Sequence, residues 1–78
     1  MKENEFVKKF GWLLSKAFAE NWSDLAIHYG FDINDLKRLV ESHELIESVG
    51  GWSNATALYD EHLDKDLGRS IADVESCQ

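Results

Sequence analysis

The densest run of ionisable groups in this chain is the set Asp60, Glu61, Asp64, Asp66, Asp73 and Glu75. Carboxylates in that number can steer and dock a basic partner, or can form a plain solvated face. As catalysts they lack an ingredient, because nothing around them desolvates two carboxyls together for general acid–base work. The other reactive side chains are scattered. His28, His43, His62 and Cys77 show none of the short spacings that gather ligands around zinc. No serine stands on a Gly-x-Ser-x-Gly elbow, and no glycine-rich loop could cradle a phosphate. Cys77 is the penultimate residue, where chain order is expected to be poor and a thiolate has nothing fixed to activate it. The sequence therefore predicts no catalytic residue, no cofactor and no metal. The candidate partner-docking acids are Asp60, Glu61, Asp64 and Asp66.

Behind these residues stands one domain, 1–78. The 78 residues are 44% hydrophobic, with three Trp, four Phe and two Tyr, enough for a packed core. There is no proline and few glycines, a composition that predicts an all-α fold. The net charge of −7 is uneven: residues 1–22 carry +1, and residues 23–50 and 51–78 carry −4 each. A single cysteine excludes an intramolecular disulfide and fits a reducing compartment. No signal peptide and no membrane-length apolar run is visible, so a cytoplasmic location is expected. Two glycosylation-type sequons, at Asn21 and Asn54, read as helix-boundary chemistry.

Hydrophobic periodicity predicts a compact bundle of about four helices. The first spans residues 3–20, with Phe6, Phe10, Leu13, Leu14, Ala17 and Phe18 on one face and Trp12 off it. Gly11 weakens it or permits close approach of another helix. A short helix over 24–29, capped by Ser23, stops at Gly30. Asp32 caps a third helix from Ile33 to Val49, ended by Gly50-Gly51. A fourth, capped by Ser53 or Asn54, carries Ala55, Leu58, Tyr59, His62 and Leu63. Its stripe continues without a phase slip through Leu67, Ile71 and Val74, which favours one long helix across Gly68. The far half of that helix would overhang the core with its apolar stripe exposed, predicting a homodimer through the C-terminal helix. His43 and His62 lie on apolar stripes and are expected to be partly buried.

Residues 23–49 are the centre of this scheme. Leu25-Ala26 is followed by Gly30 four residues after Ala26, then Phe31, and then Leu36 and Leu39. Ala26 allows a close helix crossing, and Leu25, Phe31, Leu36 and Leu39 are expected to hold the pair from inside. This arrangement resembles the helix-turn-helix of DNA-binding regulators, in a degenerate and acidic form covering about a quarter of the chain. The resemblance implies that the helix from Ile33 would enter the major groove, with Asn34, Lys37 and Arg38 as candidate DNA-reading residues. Asp32, Asp35 and Glu41 on the same segment oppose a phosphate backbone.

The charge balance therefore ranks a partner protein first and duplex DNA second. The expected function is a small non-enzymatic regulatory or interaction protein. Its size, acidity and regulator-type motif are similar in character to accessory proteins of bacteriophages and mobile elements. The alternative is a helix-turn-helix transcriptional regulator.

Overall fold

A computed structural model describes residues 1–78, which form helices and no strands. The elements are α1 (Glu3–Asn21), a 3-10 turn (Ser23–Leu25), α2 (Ala26–Tyr29), α3 (Ile33–Ser48), α4 (Trp52–His62) and α5 (Lys65–Glu75). They fill a body of 41 × 18 × 17 Å. The all-α class holds, with five helices in place of about four.

The first difference lies at Gly11. Its backbone (φ 84, ψ 169) is outside the helical region, and α1 bends there. The ring centroids of Phe6 and Phe18 are 4.8 Å apart. Twelve residues of straight helix would separate their Cα atoms by about 18 Å, so the segment 3–10 must double back on the segment 12–21. The elbow also resets the helical phase. Phe6, Val7, Trp12, Ser15, Phe18 and Ala19 turn inward to full or half burial, while Leu13 is left 86% exposed and Leu14 44%. The single stripe expected over 3–20 is thus broken in the middle.

The doubled-back segment delivers Phe6 into an aromatic cluster. Its ring lies within 4.6 to 5.5 Å of Phe10, Phe18, Tyr29 and Phe31. Leu36, Leu39, Ala26 and Cys77 complete this core. A second core gathers Ile46, Ala55, Leu67 and Val74, and Trp12 packs against both.

Between 22 and 32 the chain is less regular than expected. The short helix is one 3-10 turn followed by one α turn, without a side-chain cap. Leu25 is exposed rather than internal, whereas Ala26 and Phe31 are buried. Gly30 closes α2 in the left-handed conformation (φ 84), its N–H donating to the Ala26 and Ile27 carbonyls. Asp32 caps α3, accepting the Asn34 N–H at 2.8 Å. At the far end, Gly51 N–H donates to Ile46 O and Gly50 N–H to Glu47 O. That is the paired closure of a Schellman end.

α3 is the shared wall. The segment 12–21 runs antiparallel along one side, joined by Lys16–Glu44 at 3.4 Å and a Trp12–His43 stack at 4.4 Å. α5 runs antiparallel along the other, joined by Ser42 Oγ donating to Asp73 at 2.8 Å.

The expected long C-terminal helix is two helices, broken at Leu63-Asp64 and not at Gly68. Leu63 takes the left-handed conformation (φ 51, ψ 41) and ends α4; Asp64 caps α5, accepting from the Asp66 and Leu67 N–H groups. α4 itself begins after Gly51, with no cap from Ser53 or Asn54. Gly68 stays helical inside α5 and lets α4 pack closely on it, since a Cβ there would fall 2.5 Å from the Tyr59 ring. The break folds α5 back onto α3, so Leu67 and Val74 are buried and Ile71 half-buried. No apolar overhang is left, and the geometric ground for a dimer through the C-terminal helix is gone.

Truncating Phe6, only 2% exposed, to Ala should cost about 3–5 kcal/mol. That is comparable to the whole stability of so small a domain, so Phe6→Ala should lose its cooperative thermal transition by circular dichroism. Leu63→Gly should act oppositely. It relieves about 1–2 kcal/mol of left-handed backbone strain and returns part of it through glycine's chain entropy. A denaturant melt should show the variant no less stable than the wild type, and up to about 1 kcal/mol more stable.

Candidate functional site

The acids singled out from the sequence meet at the joint between α4 and α5. Asp60 and Glu61 lie exposed in the last turn of α4, and Asp66 lies exposed in the first turn of α5. Asp64 sits between them, but its carboxylate is occupied: Oδ1 accepts the Asp66 N–H at 2.9 Å and the Leu67 N–H at 3.2 Å. It is a helix cap first and a surface charge second. The break that creates this joint follows from that cap and from the left-handed turn at Leu63.

Leu63 stands out of the joint, 69% exposed and without neighbours to bury it. Sequence periodicity places it on the inner stripe of a long helix; the chain reversal turns it outward. Beside it opens a cleft of about 380 Å³, lined by Leu45, Val49, Leu58, His62, Asp64, Asp66 and Leu67. Four of the lining side chains are aliphatic and the others are two carboxylates and an imidazole. His62 is therefore exposed at a cleft edge, where its apolar stripe predicted partial burial. His43 does lie half-buried, stacked on Trp12 with Nε2 3.5 Å from Glu47.

The candidate DNA-reading residues do not form one basic surface. Asn34, Lys37 and Arg38 are all exposed on α3. Arg38 leans toward α5, its guanidinium 3.4 Å from the Asp73 carboxylate. Lys37 leans the other way, into a groove shared with Lys16, Glu20, Glu41 and Glu44. Glu41 stands between the two directions and lines both grooves. The outward strip of α3 thus alternates in sign.

No group of three or more His, Cys, Asp or Glu side chains is placed to hold a metal ion. Cys77 is not at a loose end, as its position in the sequence implied. It is buried in the aromatic core against the first segment of α1. Burial pushes its thiol above the ordinary range, against a smaller opposing effect from the Ser76 hydroxyl. No helix is long and apolar enough to cross a membrane.

Compared with family models, curated proteins and solved structures, the chain matches none.

Two consequences are measurable. Asp64→Ala should cost about 1 kcal/mol through the lost cap, while Asp66→Ala should leave the melting curve within error. Because the Cys77 thiol is raised in the folded state, folding stabilises the protonated form. That contribution is complete below the unfolded thiol's range and is lost as pH rises from there through the higher folded one. Denaturation midpoints should fall on the alkaline side more steeply for the wild type than for Cys77→Ala.

Proposed function

We propose that the protein is a small non-enzymatic regulatory module. It acts by binding another protein at the α4–α5 joint, and its occupant is a basic amphipathic segment. The observation that carries this reading is Leu63. A large apolar side chain is held in a strained backbone conformation, largely exposed, with Asp60, Glu61 and Asp66 close to it in the chain and its neighbours His62 and Asp64 lining an aliphatic cleft. Strain of that kind persists where the surrounding structure enforces it, and it concentrates at functional positions. An apolar anchor would supply the affinity, and the acids would supply steering and register. A partner whose basic residues flank one or two aliphatic or aromatic side chains fits both features. Such a module suits an accessory protein of a phage or mobile element that engages a host factor.

The second reading is duplex DNA through α3. The turn at Gly30, the Asp32 cap and the exposed side chains of Asn34, Lys37 and Arg38 favour it. The Arg38–Asp73 pair and the flanking Glu41 and Glu44 weigh against it, because carboxylates near phosphate are repelled.

Leu63→Gly is the decisive variant, since it removes the anchor while relieving the backbone. It should stay folded and lose a partner captured by the wild type from cell lysate. Glu61→Lys with Asp66→Lys should weaken capture mainly at low salt. Equal capture by all three forms would refute the docking site. For the DNA reading, wild-type retention on duplex DNA at low salt, with a steep salt slope and loss in Lys37→Ala/Arg38→Ala, would replace the protein-binding reading.

A further inference from the structure

The elbow in α1 leaves half of a helical stripe unused. In a continuous helix, Phe6, Phe10, Leu13, Leu14 and Ala17 would share one face. In the observed fold, Phe6 and Phe10 are packed inside, while Leu13 and Leu14 lie outside on the segment 12–21. One residue separates the two arrangements. Gly11 (φ 84, ψ 169) is exposed, and a Cβ built there would meet nothing within 4 Å. The bend is therefore a backbone choice and not a product of crowding. The segment 3–10 is joined to the rest by this single hinge. Its seat, formed by Phe18, Tyr29, Phe31 and Cys77, is complementary to it as a packed core is. An identical segment from a second copy fits the same seat. Short hinges between well-packed elements favour such exchange.

We propose that the chain has a second packing, a dimer in which two copies exchange residues 3–10. Gly11 becomes helical, and 3–21 forms one rod of about 28 Å. Each rod places its Phe6 in the other copy's aromatic cluster. The two rods run antiparallel and cross near Gly11, where Leu13 and Leu14 of each copy meet the other. The interface is then the old core plus the side chains the closed form leaves in water. This dimer is independent of the α4–α5 docking site and uses a different face from the C-terminal helix.

The test is a change of backbone preference at the hinge. Gly11→Ala disfavours the closed elbow and favours a helix, so light scattering should give a mass near twice 8.9 kDa where the wild type is monomeric. Adding Leu13→Glu should return the variant to the monomer. A chemically synthesised chain with D-alanine at position 11, which prefers positive φ, should stay monomeric at concentrations where Gly11→Ala dimerises. Exchange is distinguished from surface contact by cysteines. Asn4 Nδ2 lies 3.5 Å from the Ser76 carbonyl of the same chain. Asn4→Cys with Ser76→Cys, on a Cys77→Ala background carrying Gly11→Ala, should oxidise to a covalent dimer on a denaturing gel. A folded, monomeric Gly11→Ala, or a disulfide formed only within one chain, overturns the proposal. Should Gly11→Ala fail to fold, the wild type decides. Held at millimolar concentration near its melting point and cooled, it should leave a slowly dissociating dimer that the D-alanine chain does not form. A purely monomeric wild type after this treatment also overturns it.

Discussion

Everything in this fold depends on the backbone of one glycine. At φ 84 and ψ 169, Gly11 occupies a region that is essentially closed to other residues. It lets the first helical segment lie against the second, which gives Phe6 four aromatic neighbours. A chain of this size has few apolar groups to bury and little stability to spare. Were 3–21 a straight rod in a single chain, Phe6 and Phe10 would point past the end of α3. The core around Phe18, Phe31 and Leu36 would then stand open. The N-terminal segment is further held by Asn4 donating to the Ser76 carbonyl and by the Met1 amino group donating to Tyr29 O. The two ends of the chain thus meet at the core that α3 presents to both.

The same packing decides where charge is spent and where it is left over. Of the eight basic residues, Lys16 pairs with Glu44 and Arg38 with Asp73, both across helix–helix seams. Asp73 also accepts from the buried Ser42 hydroxyl, so this carboxylate ties α5 to α3 from within. Lys37 sits in a groove with three glutamates. These three cations lie along the edges of α3, while Asp60, Glu61, Asp64 and Asp66 lie at the α4–α5 joint with one cation, Lys65, among them. Four acids against one lysine leave the joint with a net negative charge. The composition alone could not place that charge; the seams do.

What the sequence disclosed was the punctuation set by local chemistry. Gly30, the Asp32 cap and the Gly50-Gly51 stop each stand where expected, because each depends on only a few neighbouring residues. The bounds of α3 and its buried Leu36, Leu39 and Ile46 were legible for the same reason. Gly11 was not, because a helix tolerates a glycine at about 1 kcal/mol, and only tertiary packing makes the bend preferable. The break at Leu63-Asp64 was hidden by periodicity, since the apolar stripe runs on through Leu67, Ile71 and Val74 in register. A signal was present in Asp64, an N-cap residue followed by an acid in the first turn, but the unbroken stripe outweighed it. The acids Asp60, Glu61, Asp64 and Asp66 were visible in the sequence as a cluster, but not that Asp64 spends its carboxylate on the α5 cap. Leu63, the residue on which the docking reading turns, has no signature as an exposed anchor, because its exposure exists only once the helix has reversed.

That reversal could have been made more cheaply. Glycine or asparagine takes the left-handed conformation with less strain, and either would end α4 equally well. Leucine adds strain and exposes a large apolar side chain, and nothing inside the fold repays it: the side chain is 69% in water. Leu13 at 86% is the comparable case at the other bend. Scattered apolar exposure is ordinary in proteins and needs no cause. A leucine that is at once strained, exposed, flanked in the chain by acids and set next to residues lining an aliphatic cleft is a different matter. The folded chain by itself gives glycine the advantage at position 63, and the proposed docking site gives the leucine side chain a use that the isolated fold does not.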